Sequence, residues 1–317
     1  MRIGWRAYLK QKLRSSSQFF SVGIAIGAET VTFCALRQKD AELEVYAEDT
    51  VAFADWGRHF ASWVEQHGLS NTPAYLAFSL ELYRQVQVDR PPVEDHEVHA
   101  ALSFSVEEIL GSDTQWVFDY TDLDVHVAGN KKLNIFAIPQ EAVAAASEKA
   151  VRAGVNLVQI SVAELATCEL MPATAEPLML IVQETGEEVS LNIVKNGHLY
   201  VSRRLKGFEN LGSFSEQELQ MGLVDSLSVQ VQRSMDYFES QLRQPPVRKI
   251  QLRLDTPHTA LVAQQINQVI PAEVIALEPD VQVNAPLSKL RLNFTALGMA
   301  LAPARHAERA SYEGKAA

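Results

Sequence analysis

Residues 21–26 read Ser-Val-Gly-Ile-Ala-Ile, apolar and rich in β-branched side chains, which predicts a buried strand. Gly27-Ala28-Glu29 turns the chain, residues 31–36 return as a second strand, and alternation over 42–47 makes a third. The period then lengthens. Trp56, Phe60, Trp63 and Val64 share one face of a helix that Asp55 opens and Gly68 stops, and a strand follows over 74–78. The opening pattern recurs at residue 178. An apolar run over 178–182 turns at Thr185-Gly186-Glu187, returns over 189–194, reverses at Asn196-Gly197 and continues over 198–205. A helix of about 17 residues comes next, with Leu227, Val231, Met235, Phe238 and Leu242 on one stripe.

Between the two meanders, Pro91-Pro92 marks a boundary. Beyond it the pattern predicts a helix over 98–110, strands over 115–120 and 133–138, an Ala-rich helix over 140–153, a strand over 155–160 and a short helix over 163–170. The second half closes with a strand over 247–254, a helix over 259–269, a strand over 273–277 and an apolar helix over 294–301. The meanders share topology and no sequence identity. A chain of 317 residues is long for one core, so two lobes are expected. The division is a basic segment at 1–20, a first lobe at 21–175 with an inserted subdomain at about 91–160, a second lobe at 176–302 whose last helix returns to the first, and a flexible polar tail at 303–317.

Charge narrows the function classes. The formal net charge of −11 argues against a nucleic-acid partner, which needs a positive field. The cations concentrate at the start: Arg2, Arg6, Lys10, Lys12 and Arg14 flank an apolar face of Trp5, Tyr8, Leu9 and Leu13. This predicts a short amphipathic helix that touches an anionic membrane surface through Trp5, Arg6, Leu9, Lys10 and Leu13; the alternative is a solvated tail. No apolar run approaches the roughly 20 residues that span a bilayer, and charges interrupt any secretory signal, so a cytoplasmic location is expected. Cys34 and Cys168 lie in apolar surroundings with no Cys-x-x-Cys pairing and predict two buried reduced thiols.

Candidate chemistry is sparse. His96 and His99 with Glu94, Asp95 and Glu97 lack metal-site spacing and read as the acidic first turn of a helix, so no metal is expected. Asp119, Asp122 and Asp124 alternate in an expected loop with no histidine or nucleophile beside them, and no catalytic residue is assigned. Arg203 and Arg204 could grip a partner's carboxylate, or one could cap a local acid while the other is solvated. The helix over 98–110 carries Leu102, Phe104, Val106 and Ile109, more apolar surface than one narrow face requires. That excess marks either a peptide groove or a helix packed on both sides.

Four segments carry a resemblance: residues 21–27 (SVGIAIG), residues 100–109 (AALSFSVEEI) followed by Asp119-Tyr120, residues 196–205 (NGHLYVSRRL) and residues 229–238 (VQVQRSMDYF). In this order and spacing, with Ala296-Leu297-Gly298-Met299-Ala300 near the end, the chain resembles the MshI proteins of the mannose-sensitive haemagglutinin pilus system, relatives of PilM. The resemblance implies an α/β, actin-like (ribonuclease H-like) two-lobed fold with duplicated mixed-sheet subdomains. It also implies a cytoplasmic type IV pilus scaffold peripheral to the inner membrane, whose partner is the cytoplasmic tail of a PilN-like bitopic inner-membrane protein.

In that fold ATP with magnesium would sit between the lobes, held by two hairpins and an aspartate before each turn. Here Ala25 stands where the family's VGIDIG opening has its aspartate, leaving Gly27 and Thr30 as phosphate-loop elements. At the second hairpin Gln183 or a neighbour stands where the second aspartate is expected, and Glu184, Glu187 and Glu188 crowd the turn around Gly186. The segment 252–258 has no glycine to let backbone approach an adenosine. With three parts altered, no cofactor and no ATPase activity are expected. The competing expectation is an ATP-binding ATPase or kinase-like phosphotransferase of the same fold.

Overall fold

The computed structural model describes residues 17–40, 42–127 and 130–316, so the basic segment with its membrane-surface candidates Trp5, Arg6, Leu9, Lys10 and Leu13 lies outside the described residues. The first lobe opens with β1 (Ser21–Ile26), β2 (Thr30–Lys39), β3 (Glu42–Ala52), α1 (Trp56–His67) and β4 (Pro73–Phe78). An inserted unit follows: β5 (Arg84–Asp89), α2 (Val98–Leu110), β6 (Trp116–Val127) and β7 (Asn130–Pro139). The chain re-enters the lobe with α3 (Gln140–Arg152), β8 (Asn156–Val162) and α4 (Ala163–Cys168). The second lobe comprises β9 (Leu178–Val182), β10 (Val189–Lys195), β11 (His198–Leu205), α5 (Val224–Asp236), β12 (Lys249–Arg253), α6 (Thr259–Val269) and β13 (Glu273–Ala276). Finally β14 (Gln282–Val283) and α7 (Phe294–Ala316) return to the first lobe.

The two large sheets repeat one topology. Their orders are β3-β2-β1-β4-β8, with β14 beside β3, and β11-β10-β9-β12-β13. In each, an antiparallel meander is followed by two strands parallel to its first. Because β1 and β9 are central and covered on both faces, every one of their residues is buried, which is why they read as unbroken apolar runs. The turn at Asn196 and Gly197 has positive φ at both residues, the geometry that matches strand twist in a two-residue hairpin.

Three sequence expectations change. The inserted unit is the three-stranded sheet β5-β7-β6 with α2, spanning 84–139 rather than about 91–160. Ala146 and Ala150 of α3 instead pack into the first-lobe core. Asp119, Asp122 and Asp124 belong to β6, not to a loop, and Asp122 lies 3.9 Å from Arg90. Residues 303–316 are not a loose tail: α7 runs through Pro303, and Arg309 forks onto both carboxylate oxygens of Glu169 at 2.9 and 2.8 Å while Arg305 reaches the Glu169 carbonyl. Packing along this helix offsets the hydrogen bond that proline removes.

Helix α7 lies directly on backbone. A Cβ on Gly23 of β1 would meet the Ala296 carbonyl oxygen at 1.9 Å, and one on Gly298 would meet that of Ala166 at 2.0 Å. The small residues along Ala296, Gly298 and Ala300 therefore place α7 against β1 and α4, a distance that larger side chains would prevent.

Candidate functional site

The cleft between the lobes is formed where the β1–β2 turn faces the β9–β10 turn across the start of α7. Ala25, Gly27 and Thr30 line it, together with Glu48 of β3 and with Glu184, Glu187 and Arg253 from the second lobe. The turn is tight, with the Gly27 N–H on the Thr30 carbonyl at 2.8 Å. A Cβ on Gly27 would lie 3.7 Å from Glu187 Oε1, so a second-lobe carboxylate closes against the first-lobe turn. Gln183 lies buried behind the cleft, its amide donating to the carbonyls of Phe208 at 2.7 Å and Glu187 at 3.1 Å while its Oε1 accepts from the Asp255 N–H at 3.2 Å. Gly186 is at the open tip of its turn with φ +77°.

The first N–H groups of a helix attract anions. Here the protein's own carboxylates take them. Glu184 Oε1 accepts from Phe294 at 2.7 Å and Thr295 at 3.2 Å, and Glu48 Oε2 accepts from Asn293 at 3.2 Å. Burial dominates the acidity of these groups. It pushes Glu48 up to about 8 and Glu187 up to about 7, the latter reinforced by the Glu184 charge. Glu184 is also raised, despite Arg253 at 3.7 Å and the helix N–H groups opposing the shift.

The remaining candidates separate. Leu102 and Val106 are buried against Leu133 and Ile135 inside the inserted unit, which removes them as partner contacts. Phe104 and Ile109 are 78% and 50% exposed, and Phe104 faces away from that core. Arg204 is also removed from the partner set: its Nε holds the fully buried Glu164 at 3.1 Å, another nitrogen binds the Leu80 carbonyl, and the guanidinium lies 4.6 Å from the Tyr83 ring centroid. Arg204 is thus a tie between the lobes. Arg203 points instead to α5, bonding Ser234 and Gln230. His99 stacks on Phe118 at 4.5 Å, and no metal-binding group of three or more occurs among the described residues. Cys34 and Cys168 are buried free thiols, both shifted up by burial.

A groove of 340 Å³ separates β6 from β8. Both are edge strands of their sheets. Val117, Tyr120, Phe136, Ile138, Ile160 and Leu165 give it a largely apolar lining. An edge strand offers unpaired backbone groups that an extended peptide can complete. Sequence reading missed this groove, because which strand ends at an edge follows from sheet order alone.

These features define an actin-like ATPase fold, with two topologically equivalent lobes and a cleft at their junction. No protein-family model and no curated protein matches the chain. Among solved structures it is similar to PilM of the PilM–PilN type IV pilus biogenesis complex, with a TM-score of 0.61 and 16% identity over 90% of this chain and 99% of that one. It is similar to the cytoplasmic domain of EpsL, an inner-membrane component of the type II secretion system of Vibrio cholerae, with a TM-score of 0.51 and 11% identity over 89% and 94% of the two chains. A Bacteroides thetaiotaomicron protein with the actin-like ATPase fold matches with a TM-score of 0.51 and 11% identity over 90% and 96%. At these identities the likeness is one of fold.

Proposed function

We propose that the chain is a non-catalytic scaffold of a type IV pilus assembly platform, of the MshI kind, that binds the cytoplasmic tail of a PilN-like bitopic inner-membrane protein along the groove between β6 and β8. The observation that carries this reading is the pair of edge strands facing one apolar groove, in a fold similar to a protein solved with PilN. Its place would be the cytoplasmic side of the inner membrane, and no helix among the described residues is long and apolar enough to cross a membrane. A magnesium–triphosphate group does not fit the cleft. The cavity there is 140 Å³, against roughly 300–1,000 Å³ for ordinary ligand sites. The helix N–H groups that would receive a phosphate are already taken by Glu48 and Glu184.

The second reading, an ATPase or kinase-like phosphotransferase, draws on the hydroxyls of Thr30, Thr32 and Thr50 in the same cleft. Two calorimetric titrations separate the readings. The labelled tail of a PilN-like partner is expected to bind with micromolar affinity or tighter and to weaken in Ile160→Glu, while ATP with magnesium is expected to give no heat. A tail that does not bind overturns the scaffold assignment, and a micromolar constant for ATP reverses the ranking.

A further inference from the structure

A larger cavity, of 560 Å³, lies between the inserted sheet and the second lobe. Gln85 and Gln87 of β5 and Asn134 of β7 form one wall; Arg203 of β11 and Arg233 and Tyr237 from the helix opposite face them. Its volume falls within the range of ordinary binding sites. The β7 face carrying Asn134 is the one turned from α2, because Leu133 and Ile135 pack beneath that helix and strand residues alternate.

The charge in this cavity is unbalanced. Arg203 and Arg233 are its charged lining residues, and no carboxylate joins them. Arg203 is held by neutral acceptors, with Nη1 on Ser234 Oγ and Nη2 on Gln230 Oε1, both at 3.1 Å. Those bonds fix the direction of the guanidinium and leave its charge unmet. Neither arginine joins an ion pair among the described residues. Two guanidiniums that line one cavity with no carboxylate among its lining residues make it complementary to an anion. The amides add a second requirement. Each of Gln85, Gln87 and Asn134 offers a donor and an acceptor, the complement of a peptide backbone rather than of an acceptor-only phosphate. The Gln87 amide already donates to Asn134 Oδ1 at 3.1 Å, which holds that wall in place.

We propose that this cavity binds an acidic peptide segment of another protein, with Arg203 and Arg233 each receiving a carboxylate and the amide wall pairing with the backbone. The chain's net charge of −11 does not prevent this, since exposed charges beyond about 8 Å are screened at physiological salt while a bidentate contact acts at hydrogen-bond range. The site is separate from the β6–β8 groove and goes beyond the tail-binding reading.

The test is fluorescence anisotropy with a short labelled peptide of alternating glutamate and valine, its lysine–valine counterpart, inorganic phosphate and ATP. The acidic peptide is expected to bind, to weaken as salt rises, and to lose at least about tenfold in affinity in Arg233→Gln. Arg233 is exposed, so its replacement is expected to leave the fold intact. Arg203→Lys, which keeps the charge and loses the fork, is expected to weaken binding too, and the lysine peptide is expected not to bind. Ile160→Glu, a change in the other groove, leaves acidic-peptide affinity intact; loss there would place the peptide in the β6–β8 groove and overturn the assignment. It is likewise overturned if the acidic peptide does not bind or binds Arg233→Gln equally well. Binding of phosphate or ATP that depends on Arg233 without peptide binding would make this a small-anion site and exclude the peptide.

Discussion

Glu184 Oε1 accepts the Phe294 N–H at 2.7 Å, so a second-lobe carboxylate caps the helix that completes the first lobe. The same carboxylate faces Arg253, which projects from the end of β12. Removing it strips a helix cap and leaves a half-buried guanidinium without its counter-charge. Glu184→Ala is expected to cost about 2 kcal/mol in urea denaturation. Glu184→Gln keeps an acceptor at the same reach and is expected to cost less than half of that.

Glu48 makes the cleft sensitive to pH. Burial raises its folded-state value from an ordinary carboxyl to about 8. The folded protein therefore binds a proton there that the unfolded chain has already released, so the stability contribution is full at acid pH and is lost as pH rises through about 8. Glu187, raised to about 7, acts in the same sense. Glu48→Gln is expected to gain on the order of 2 kcal/mol relative to the parent at about pH 9, with little difference near about pH 4. Melting curves of both proteins across that range check it, and a difference that does not change with pH refutes it.

The Arg204–Glu164 pair predicts a coupling. Arg204→Met leaves a fully buried carboxyl without its cation and is expected to cost about 3 kcal/mol. Adding Glu164→Gln removes the stranded charge, so the double variant should recover much of that loss. A double-mutant cycle that is additive within about 0.5 kcal/mol would show that the pair does not interact.

Gly298 tests the packing of α7. Gly298→Ala puts a methyl 2.0 Å from the Ala166 carbonyl oxygen and forces the helix off α4. The expected cost is about 2–3 kcal/mol, although alanine is the better helix former. An unchanged melting temperature would mean that α7 adjusts without strain.

Much of this architecture was legible in sequence. The two meanders, the Asn196-Gly197 reversal and the stripe from Leu227 to Leu242 are local patterns, and local patterns survive folding. β5 was not anticipated, because Arg84 to Asp89 alternates weakly and its partner β7 lies far along the chain. The fate of residues 303–316 was hidden for a related reason: Pro303 and the charges beyond it look like an ending until Glu169 is placed beside Arg309. At the candidate sites, the substitutions at Ala25 and Gln183 could be read directly. That Glu48 would join them, or that Arg203 would be matched with Arg233 rather than its neighbour Arg204, could not, since both depend on which faces of distant strands and helices meet.

The placement of α7 also sets an order of events during synthesis. Domains commonly fold in the order in which they leave the ribosome. This chain is expected to depart from that habit, because β1 emerges early while Ala296 and Ala300, which pack on Gly23, come from the far end. The second-lobe sheet draws all five of its strands from one continuous stretch and can close first. Until Ala296 and Ala300 join the first-lobe core, the nascent lobe is expected to keep an apolar face open to a chaperone.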